Sequence, residues 1–272
     1  MSPMPKTPDY PRLPRFWKKR YPFRLACPSF VYPADYDVNV DRLGPHVDDI
    51  ELLFFEGRPE SHPSAALIDR LVRLGRRHDV GFNVHLPTDL PLWDDDTQAA
   101  KAAALTIKTM TRILAPLAPC FYVLHLERPT HTLAVSIGQR AWQASATRGL
   151  EMLIDEGCPV PDFRVENQTV PLDWIAPLLE AFDLDLCLDI GHLQLAGGDL
   201  APTLSRWQER IRALHIHGVS DGRDHRALSC LPTRDQEALA AFLKSFDGSV
   251  SVEVFDYEAL CESLLVLEDW MV

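Results

Sequence analysis

Eight short runs rich in β-branched, aromatic and other apolar residues recur along the chain, each followed by a longer helical pattern. The ends of consecutive runs lie about 32 residues apart, which is a typical length for a βα unit. Several runs are almost continuously apolar and therefore indicate strands buried on both faces, as in parallel sheets. Eight such units in about 250 residues predict a (β/α)8 TIM barrel. The predicted strands are Phe23–Cys27, Ile50–Phe55, Gly81–Leu86, Phe121–Leu126, Phe163–Glu166, Leu186–Ile190, Ala213–His217 and Val250–Phe255.

Helical patterns separate the predicted strands. They include Thr97–Leu114, Gln139–Glu156, Arg234–Phe246 and Glu258–Trp270. The competing architecture, a doubly wound open sheet, would carry a glycine-rich phosphate-binding turn, and neither common form of that turn occurs in the sequence. Because no linker interrupts residues 23–272, we predict one barrel domain there.

The first 22 residues differ in composition from the rest of the chain. Residues 1–24 contain seven Lys or Arg residues, one acid and six prolines. Proline at this density prevents both a helix and a central strand, so residues 1–22 are predicted to form an extended basic arm over the domain surface. The arm lacks the apolar core of a signal peptide. A basic arm that contacts an anionic partner is the alternative interpretation.

Net charge argues against two classes of partner. The formal charge is −12, and the chain without residues 1–24 has 20 basic and 38 acidic residues. An acidic body binds nucleic acid and anionic membranes poorly, and no apolar run is long enough to form a membrane helix. The six cysteines show no C-x-x-C spacing, and Cys27 and Cys187 lie in apolar runs. We therefore expect a cytoplasmic protein with reduced, buried thiols.

Polar residues cluster at the predicted strand ends, where a (β/α)8 barrel carries its catalytic side chains. Six of the ten histidines fall there together with several carboxylates. Since burying such groups unpaired is costly, either each is hydrogen-bonded separately or they converge on a divalent metal. We favour convergence, and mixed nitrogen and oxygen ligands suit Zn, Mn or Fe better than Mg or Ca. The candidate metal ligands are His85, His125, Glu166, Asp189, His192, His215, Asp224, His225 and Glu253.

Spacing within this set adds two expectations. Asp189 and His192 flank a strand end where Gly191 permits a sharp turn, so the two side chains can address neighbouring metals. His215 and His217 lie two apart on one strand and share a face, so one can bind metal while the other contacts substrate or a neighbouring ligand. The remaining histidines, in predicted loops or helix ends, are interpreted as surface residues: His46, His62, His78 and His131.

The strand-end residues resemble the ligand set of the xylose-isomerase-like barrel superfamily, which includes abasic-site nucleases of the endonuclease IV type and many sugar isomerases and epimerases. The similarity covers about residues 23–270. Within that superfamily, several stretches look like the cobamide-remodelling phosphodiesterases: Ser29–Asp35, Val47–Leu52, Tyr122–Leu126, Cys187–Leu193, His215–Val219 and Asp221–His225. The resemblance implies a corrinoid substrate. It also implies hydrolysis of the phosphodiester in the cobamide nucleotide loop to cobinamide phosphate and an α-riboside.

The resemblance also implies how the donors divide among two or three metals. One metal would be held by His85, His125 and Glu166. A second would be held by Glu166, Asp189, His215 and Glu253. A third would be held by His192 and His225, together with Asp224 or another nearby acid. The nuclease pattern has Asp-x-His at this last point, whereas here the Asp and His are adjacent, so the sequence departs from the pattern at the third metal.

Roles can be assigned within a site of two or three metals. Glu166 is the expected bridge, and Asp189 or Glu253 is expected to orient the nucleophilic water. Arg223 and Arg226 are candidates to hold the phosphate, because a guanidinium pairs with it bidentately, and surface ion pairing is the competing explanation. Two further candidates for substrate contact are Asn167 and His217.

Three alternative functions stay open at this point. An abasic-site endonuclease would use the same chemistry, but DNA binding needs phosphate-contacting Lys and Arg, which an acidic barrel body opposes. A sugar isomerase or epimerase would hold one metal and would leave His85, His125 and His225 without one. A non-catalytic corrinoid-binding barrel is the third. Metal content separates the first two, because one metal per chain favours isomerisation and two or three favour phosphodiester cleavage.

Overall fold

The computed structural model describes residues 10–94, 96–126, 138–168 and 170–272, so the predicted surface residue His131 lies outside the described residues. The strands are β1 (Arg24–Pro28), β2 (Asp49–Leu53), β3 (Gly81–His85), β4 (Tyr122–His125), β5 (Phe163–Glu166), β6 (Asp185–Asp189), β7 (Ile211–Ile216), β8 (Gly218–Ser220), β9 (Arg223–Arg226) and β10 (Ser249–Val252). Strands β1 to β7 pair in parallel in chain order, and β10 closes the barrel between β7 and β1. The predicted (β/α)8 architecture is confirmed, and every predicted strand overlaps an observed one.

Helices cover the outside of the barrel. They are α1 (Tyr36–Leu43), α2 (Ala65–His78), α3 (Thr97–Leu114), α4 (Gln139–Asp155), α5 (Leu172–Ala181), α6 (Ile190–Leu195), α7 (Leu200–Trp207), α8 (Thr233–Leu243) and α9 (Tyr257–Trp270). Local sequence explains several ends. The Asp96 side chain caps α3 by accepting hydrogen bonds from two main-chain amides, and the turn that follows the helix contains Pro116. No helix in the described ranges is long and apolar enough to cross a bilayer.

Strand β2 is buried along its whole length although two of its five residues are acidic. Asp49, at its amino end, accepts two hydrogen bonds from the Arg24 guanidinium at 2.7 and 2.5 Å. Glu51 lies deeper, is fully buried and has no arginine or lysine partner among the described residues. Cys27 and Cys187 are also fully buried, as expected, and all six cysteines are free thiols. Glu51 is therefore a carboxylate of the barrel interior that packing alone does not explain.

A hairpin that the sequence analysis did not foresee follows β7. Strands β8 and β9 pair antiparallel with Ser220 opposite Arg223, so the turn consists of Asp221 and Gly222. These have φ angles of 53° and 69°, as a type I′ turn requires. One extra residue bulges from β9, and His225 there has a φ of 52°. A left-handed conformation outside glycine costs on the order of 1–3 kcal/mol, so surrounding contacts must hold this backbone in place.

The described part of the N-terminal arm, residues 10–22, forms no helix or strand, in agreement with its proline content. It does not only lie over the surface, because Leu13 and Trp17 are buried in the main hydrophobic core. The Trp17 indole donates to Glu268 of α9 at 3.3 Å, and Arg15 pairs with the same carboxylate at 2.8 Å. The arm thus ties the last helix to the start of the barrel, while a domain boundary at residue 22 stays a prediction.

The expectation that His46 is a surface residue is wrong. Its side chain is buried because the N-terminal arm covers it. The ring Nδ1 lies 2.7 Å from the main-chain oxygen of Arg15, and the Phe16 ring stacks on it at 4.6 Å. His62 and His78 are partly exposed. His46 is buried because of a contact with the N-terminal arm, which is distant in sequence. Its place in a predicted loop gave no sign of that contact.

Candidate metal centre

The nine predicted donors converge at the carboxyl end of the barrel. They are His85 at the end of β3, His125 of β4, Glu166 of β5, Asp189 of β6, His192 of α6, His215 of β7, Asp224 and His225 of β9, and Glu253 directly after β10. They form three groups within which the donor atoms all lie within 4.8 Å of one another. The members of these groups are the same as those of the three sets implied by the resemblance.

The first group joins two imidazoles to one carboxylate oxygen. Nε2 of His85 and Nε2 of His125 lie 3.1 and 2.9 Å from Oε2 of Glu166. Nδ1 of His85 lies 3.0 Å from the main-chain oxygen of Leu86, which assigns the ring proton to Nδ1. When a metal binds, Nε2 must be deprotonated, and its lone pair then faces Oε2 of Glu166. A nitrogen lone pair and a carboxylate oxygen 3.1 Å apart both donate electron pairs, so the arrangement fits a shared cation.

The second group is the most deeply buried. Nδ1 of His215 lies 3.0 Å from Oε2 of Glu253, 3.7 Å from Oε1 of Glu166 and 3.9 Å from Oδ2 of Asp189. His215 Nδ1 and Glu253 Oε2 are buried, yet neither has a hydrogen bond of acceptable geometry. Three carboxylates around one unpartnered ring nitrogen fit a divalent cation, because such burial is costly otherwise.

The third group depends on the hairpin. Oδ2 of Asp224 lies 3.6 Å from Nε2 of His192 and 3.8 Å from Nε2 of His225. Nδ1 of His225 lies 3.0 Å from the main-chain oxygen of Glu253, which leaves Nε2 available as a donor. The bulge and the left-handed backbone at His225 bring two adjacent residues to one point. The departure from Asp-x-His spacing therefore does not prevent this group from forming.

Asp189 is held by its neighbours on both sides. Its Oδ1 accepts a hydrogen bond from the main-chain amide of His192 at 2.6 Å, which leaves Oδ2 directed at the other donors. The Asn167 side chain accepts from the Asp189 amide at 2.7 Å and donates to its carbonyl at 2.9 Å. Asn167 is buried, and both of its polar atoms are used. These contacts fit a role for Asn167 in positioning Asp189, and its contact with substrate stays a prediction.

His217 also contacts the Asp189 side chain. Its Nδ1 accepts from the main-chain amide of His225 at 2.9 Å, which assigns the proton to Nε2, 3.1 Å from Asp189 Oδ2. Donor atoms of His217, His225 and Glu253 also come close together, but both nitrogens of His217 are already engaged. His217 is fully buried, so these contacts fit a role in orienting Asp189, and its contact with substrate stays a prediction. Of the His215 and His217 pair, His215 is the better donor.

Glycine is needed at position 191 for close packing and not for the predicted sharp turn. It lies inside α6, and its φ is not positive. A Cβ atom there would lie 1.9 Å from Cε1 of His217, so only glycine lets the helix approach that ring.

Opposite charges alternate in the centre and shift its pKa values. Burial alone would raise the pKa of Glu166, but the surrounding imidazoles outweigh burial and hold it well below the usual range. The same balance, with His217 and His192 as partners, lowers the pKa of Asp189 to about 2. Burial opposes protonation of His192, yet Asp189 and Glu166 raise its pKa to about 10. A cation that binds here must therefore displace protons from the imidazoles.

Arg223 and Arg226 lie on β9 beside Asp224 and His225, and both are exposed. No ion pair joins either arginine to another described residue, and phosphate binding by these two residues stays a prediction.

Two residues of the centre were missed from the sequence. Gln168 lies 3.0 Å from Oε1 of Glu166 through Nε2, and the same nitrogen lies 3.1 Å from Nε2 of His125. Glu51 Oε1 lies 2.9 Å from His215 Nε2. Nothing in the sequence marked Gln168 as a site residue, because it follows a strand end in a polar stretch. Glu51 could have been recognised, because it is the single acid within an otherwise apolar run from Ile50 to Phe55.

No protein-family model matches the chain, and no curated protein matches it at a significant level. Similar solved structures include a D-tagatose 3-epimerase-like protein, with a TM-score of 0.69 and 20% identity over 92% of this chain and 97% of that chain. Endonuclease IV from Thermus thermophilus has a TM-score of 0.66 and 17% identity over 91% of this chain and 98% of its own. L-ribulose 3-epimerase has a TM-score of 0.66 and 17% identity over 91% and 95%. These likenesses concern the fold, and the chain shares the (β/α)8 barrel fold of these proteins.

Proposed function

We propose that this protein is a metal-dependent phosphodiesterase that hydrolyses the nucleotide-loop phosphodiester of cobamides to cobinamide phosphate and an α-riboside. The observation that carries the proposal is the shared carboxylate of Glu166. Its Oε2 faces His85 and His125 at 3.1 and 2.9 Å, whereas its Oε1 faces His192 and His215 at 3.2 and 3.7 Å. One carboxylate between two donor groups is the arrangement expected of a bridge between neighbouring metals.

Divalent metals in these groups would neutralise charge on a phosphodiester and make the attacking water easier to deprotonate. The chain itself supplies the group that orients this water. Both oxygens of Asp189 already have partners, in the His192 amide and the His217 ring. Glu253 Oε2 is buried without a hydrogen-bond partner. Of the two acids predicted for this role, Glu253 is therefore the better candidate.

The substrate class rests on the sequence stretches that look like cobamide-remodelling phosphodiesterases, with support from the rim of the barrel. Phe30 follows β1 and Phe55 follows β2, their side chains are 51% and 45% exposed, and their rings lie 6.1 Å apart. Exposed aromatic rings beside a polar centre suit a large substrate with apolar surface better than a sugar with a hydroxyl on every carbon. The acidic barrel body likewise opposes a DNA substrate.

A single-metal epimerase is the second candidate. Epimerases are among the proteins that share this fold, and the four-residue group of Glu166, Asp189, His215 and Glu253 could hold one metal. That function would leave the other two donor groups without a purpose. The observation that two more groups of donors adjoin the first therefore favours phosphodiester cleavage.

Elemental analysis of purified, metal-replete protein, combined with a cobalamin cleavage assay followed by mass spectrometry, tests the proposal. We expect two or three equivalents of metal per chain and formation of cobinamide phosphate. Glu166→Gln should abolish the product while the protein stays folded, and Glu151→Gln, the same change on the exposed face of α4, should leave turnover unchanged. One equivalent of metal and no cobinamide phosphate would refute the proposal in favour of the epimerase.

A further inference from the structure

The inference concerns Glu51, which was not among the predicted site residues. It lies on β2, and His215 lies on β7, three strands away around the barrel, so their contact crosses the interior. Glu51 Oε1 and His215 Nε2 lie 2.9 Å apart, and the other carboxylate oxygen accepts from the Ser251 hydroxyl at 2.6 Å. Ser251 is the register partner of His215 in the neighbouring strand β10. Glu51, Ser251 and His215 are all buried and form one connected unit beneath the metal centre.

His215 differs from two other imidazoles of the centre in the way it is oriented. His85 and His225 each direct Nδ1 at a main-chain oxygen, both at 3.0 Å, and keep Nε2 for the centre. His215 is reversed, because its Nδ1 faces the carboxylates of the centre and its Nε2 faces Glu51. A charged carboxylate thus replaces the neutral carbonyl that orients those two rings.

The ring nitrogens of His215 also lack hydrogen-bond partners among the described residues. Both ring nitrogens and Glu51 Oε1 are buried, and none of the three atoms has a hydrogen bond of acceptable direction. For Nδ1 to serve as a metal donor, its lone pair must be free and the proton must be on Nε2. Within the described residues, the carboxylate oxygen closest to Nε2 is Glu51 Oε1. The Cys187 thiol also lies beside His215 and is the competing partner.

We propose that Glu51 is a positioning residue for His215. It holds the proton of His215 on Nε2 so that Nδ1 is presented to the four-residue group, and its charge makes the imidazole a stronger donor. Partners of this kind, beyond the ligands themselves, typically change metal affinity by about 10–100-fold. Glu51 therefore selectively strengthens metal binding at the buried group of Glu166, Asp189, His215 and Glu253. The inference depends on metal binding and not on which phosphodiester is cleaved.

Titration of the metal-free protein with Zn²⁺ in competition with a chromophoric chelator tests this role. In Glu51→Gln we expect one equivalent of Zn²⁺ to bind about 10–100-fold more weakly and the others to be unchanged within about 3-fold. In a His215→Ala background the same substitution should have no further effect. Ser251→Ala, which removes only the support of Glu51, should give a smaller loss in the same equivalent.

Two controls separate positioning from packing. Urea unfolding of the metal-free proteins reports any purely structural cost, and Cys187→Ala removes the competing partner of His215. Unchanged Zn²⁺ affinity in Glu51→Gln, with a lower free energy of unfolding, would show that Glu51 only supports the barrel. Equal weakening of every equivalent, or a selective loss in Cys187→Ala alone, would also overturn the inference. If Glu51→Gln does not fold, Ser251→Ala decides the outcome. Unchanged Zn²⁺ affinity in Ser251→Ala would then refute the proposed connection of Ser251, Glu51 and His215. Wild-type protein that binds no Zn²⁺ would instead refute the metal centre itself.

Discussion

The first turn of α6 approaches the His217 ring so closely that a Cβ atom on Gly191 would lie 1.9 Å from its Cε1 and 2.4 Å from its Nδ1. The same ring contacts Asp189 through Nε2 and accepts the His225 amide through Nδ1. Helix α6, the end of β6 and the hairpin are therefore held together by one imidazole. Displacing it would disturb two of the three donor groups at once.

Gly191→Ala should consequently reduce phosphodiester hydrolysis by at least about 100-fold, since misplacement of about 1 Å has effects of this size. Overpacking of this kind costs about 1–3 kcal/mol in stability. Turnover and urea unfolding of the purified variant check both effects. Gly157→Ala, at a positive φ of 75° with no atom within 4 Å, is the control, because it adds backbone strain far from the centre. Full turnover in Gly191→Ala would contradict the structure around His217.

Asn167→Ala distinguishes a positioning role from a substrate contact. Both polar atoms of the Asn167 side chain bond to the main chain of Asp189. We therefore expect kcat to fall by about 10–100-fold with KM changed by less than about 3-fold, as for loss of support behind a ligand. Steady-state kinetics on the cleaved phosphodiester provides both constants. A raised KM with unchanged kcat would restore the substrate contact predicted from the sequence.

The stability of the metal-free protein should depend on pH in a direction set by His192. Burial lowers its pKa, but Asp189 and Glu166 outweigh burial and raise it to about 10, above the ordinary histidine value of 6.5. The stabilising contribution is therefore fully present below about pH 6.5 and is lost as the pH rises through about 10. Urea unfolding after chelation should show a decline across this interval that is smaller in His192→Gln. The same pH dependence of the free energy of unfolding in both proteins would contradict the raised pKa of His192.

Trp17→Ala should destabilise the protein by about 3–5 kcal/mol, because it removes a large buried side chain. Trp17 is fully buried in the main core, and its indole donates to Glu268. Phe16→Ala is the matched control, since Phe16 is 66% exposed and should cost less than about 1 kcal/mol. Chemical unfolding measures both. Equal effects would mean that the arm packs differently from the described arrangement.

Much of the barrel was predictable, because periodicity is a local property. Strands buried on both faces read as continuous apolar runs, and Phe163–Glu166 and Thr97–Leu114 were predicted with the observed bounds. The hairpin was missed because its strands, Gly218–Ser220 and Arg223–Arg226, are short and mostly polar and so form no apolar run, although Asp221-Gly222 is a turn pair. His46 was placed wrongly because a segment thirty residues away covers it.

The grouping of these histidines and carboxylates was predictable from the sequence, because parallel strands bring their carboxyl ends to one face and residue types that can bind metal stand at those ends. Only the tertiary structure decided which atoms do what. Asn167 and His217 have side chains suited to substrate, yet main-chain and carboxylate contacts use both of them to orient Asp189. Glu51 has no neighbour in sequence that explains it, and its partner lies across the barrel. Residue type sets what a side chain can donate or accept, whereas the closure of the barrel sets which partner it reaches.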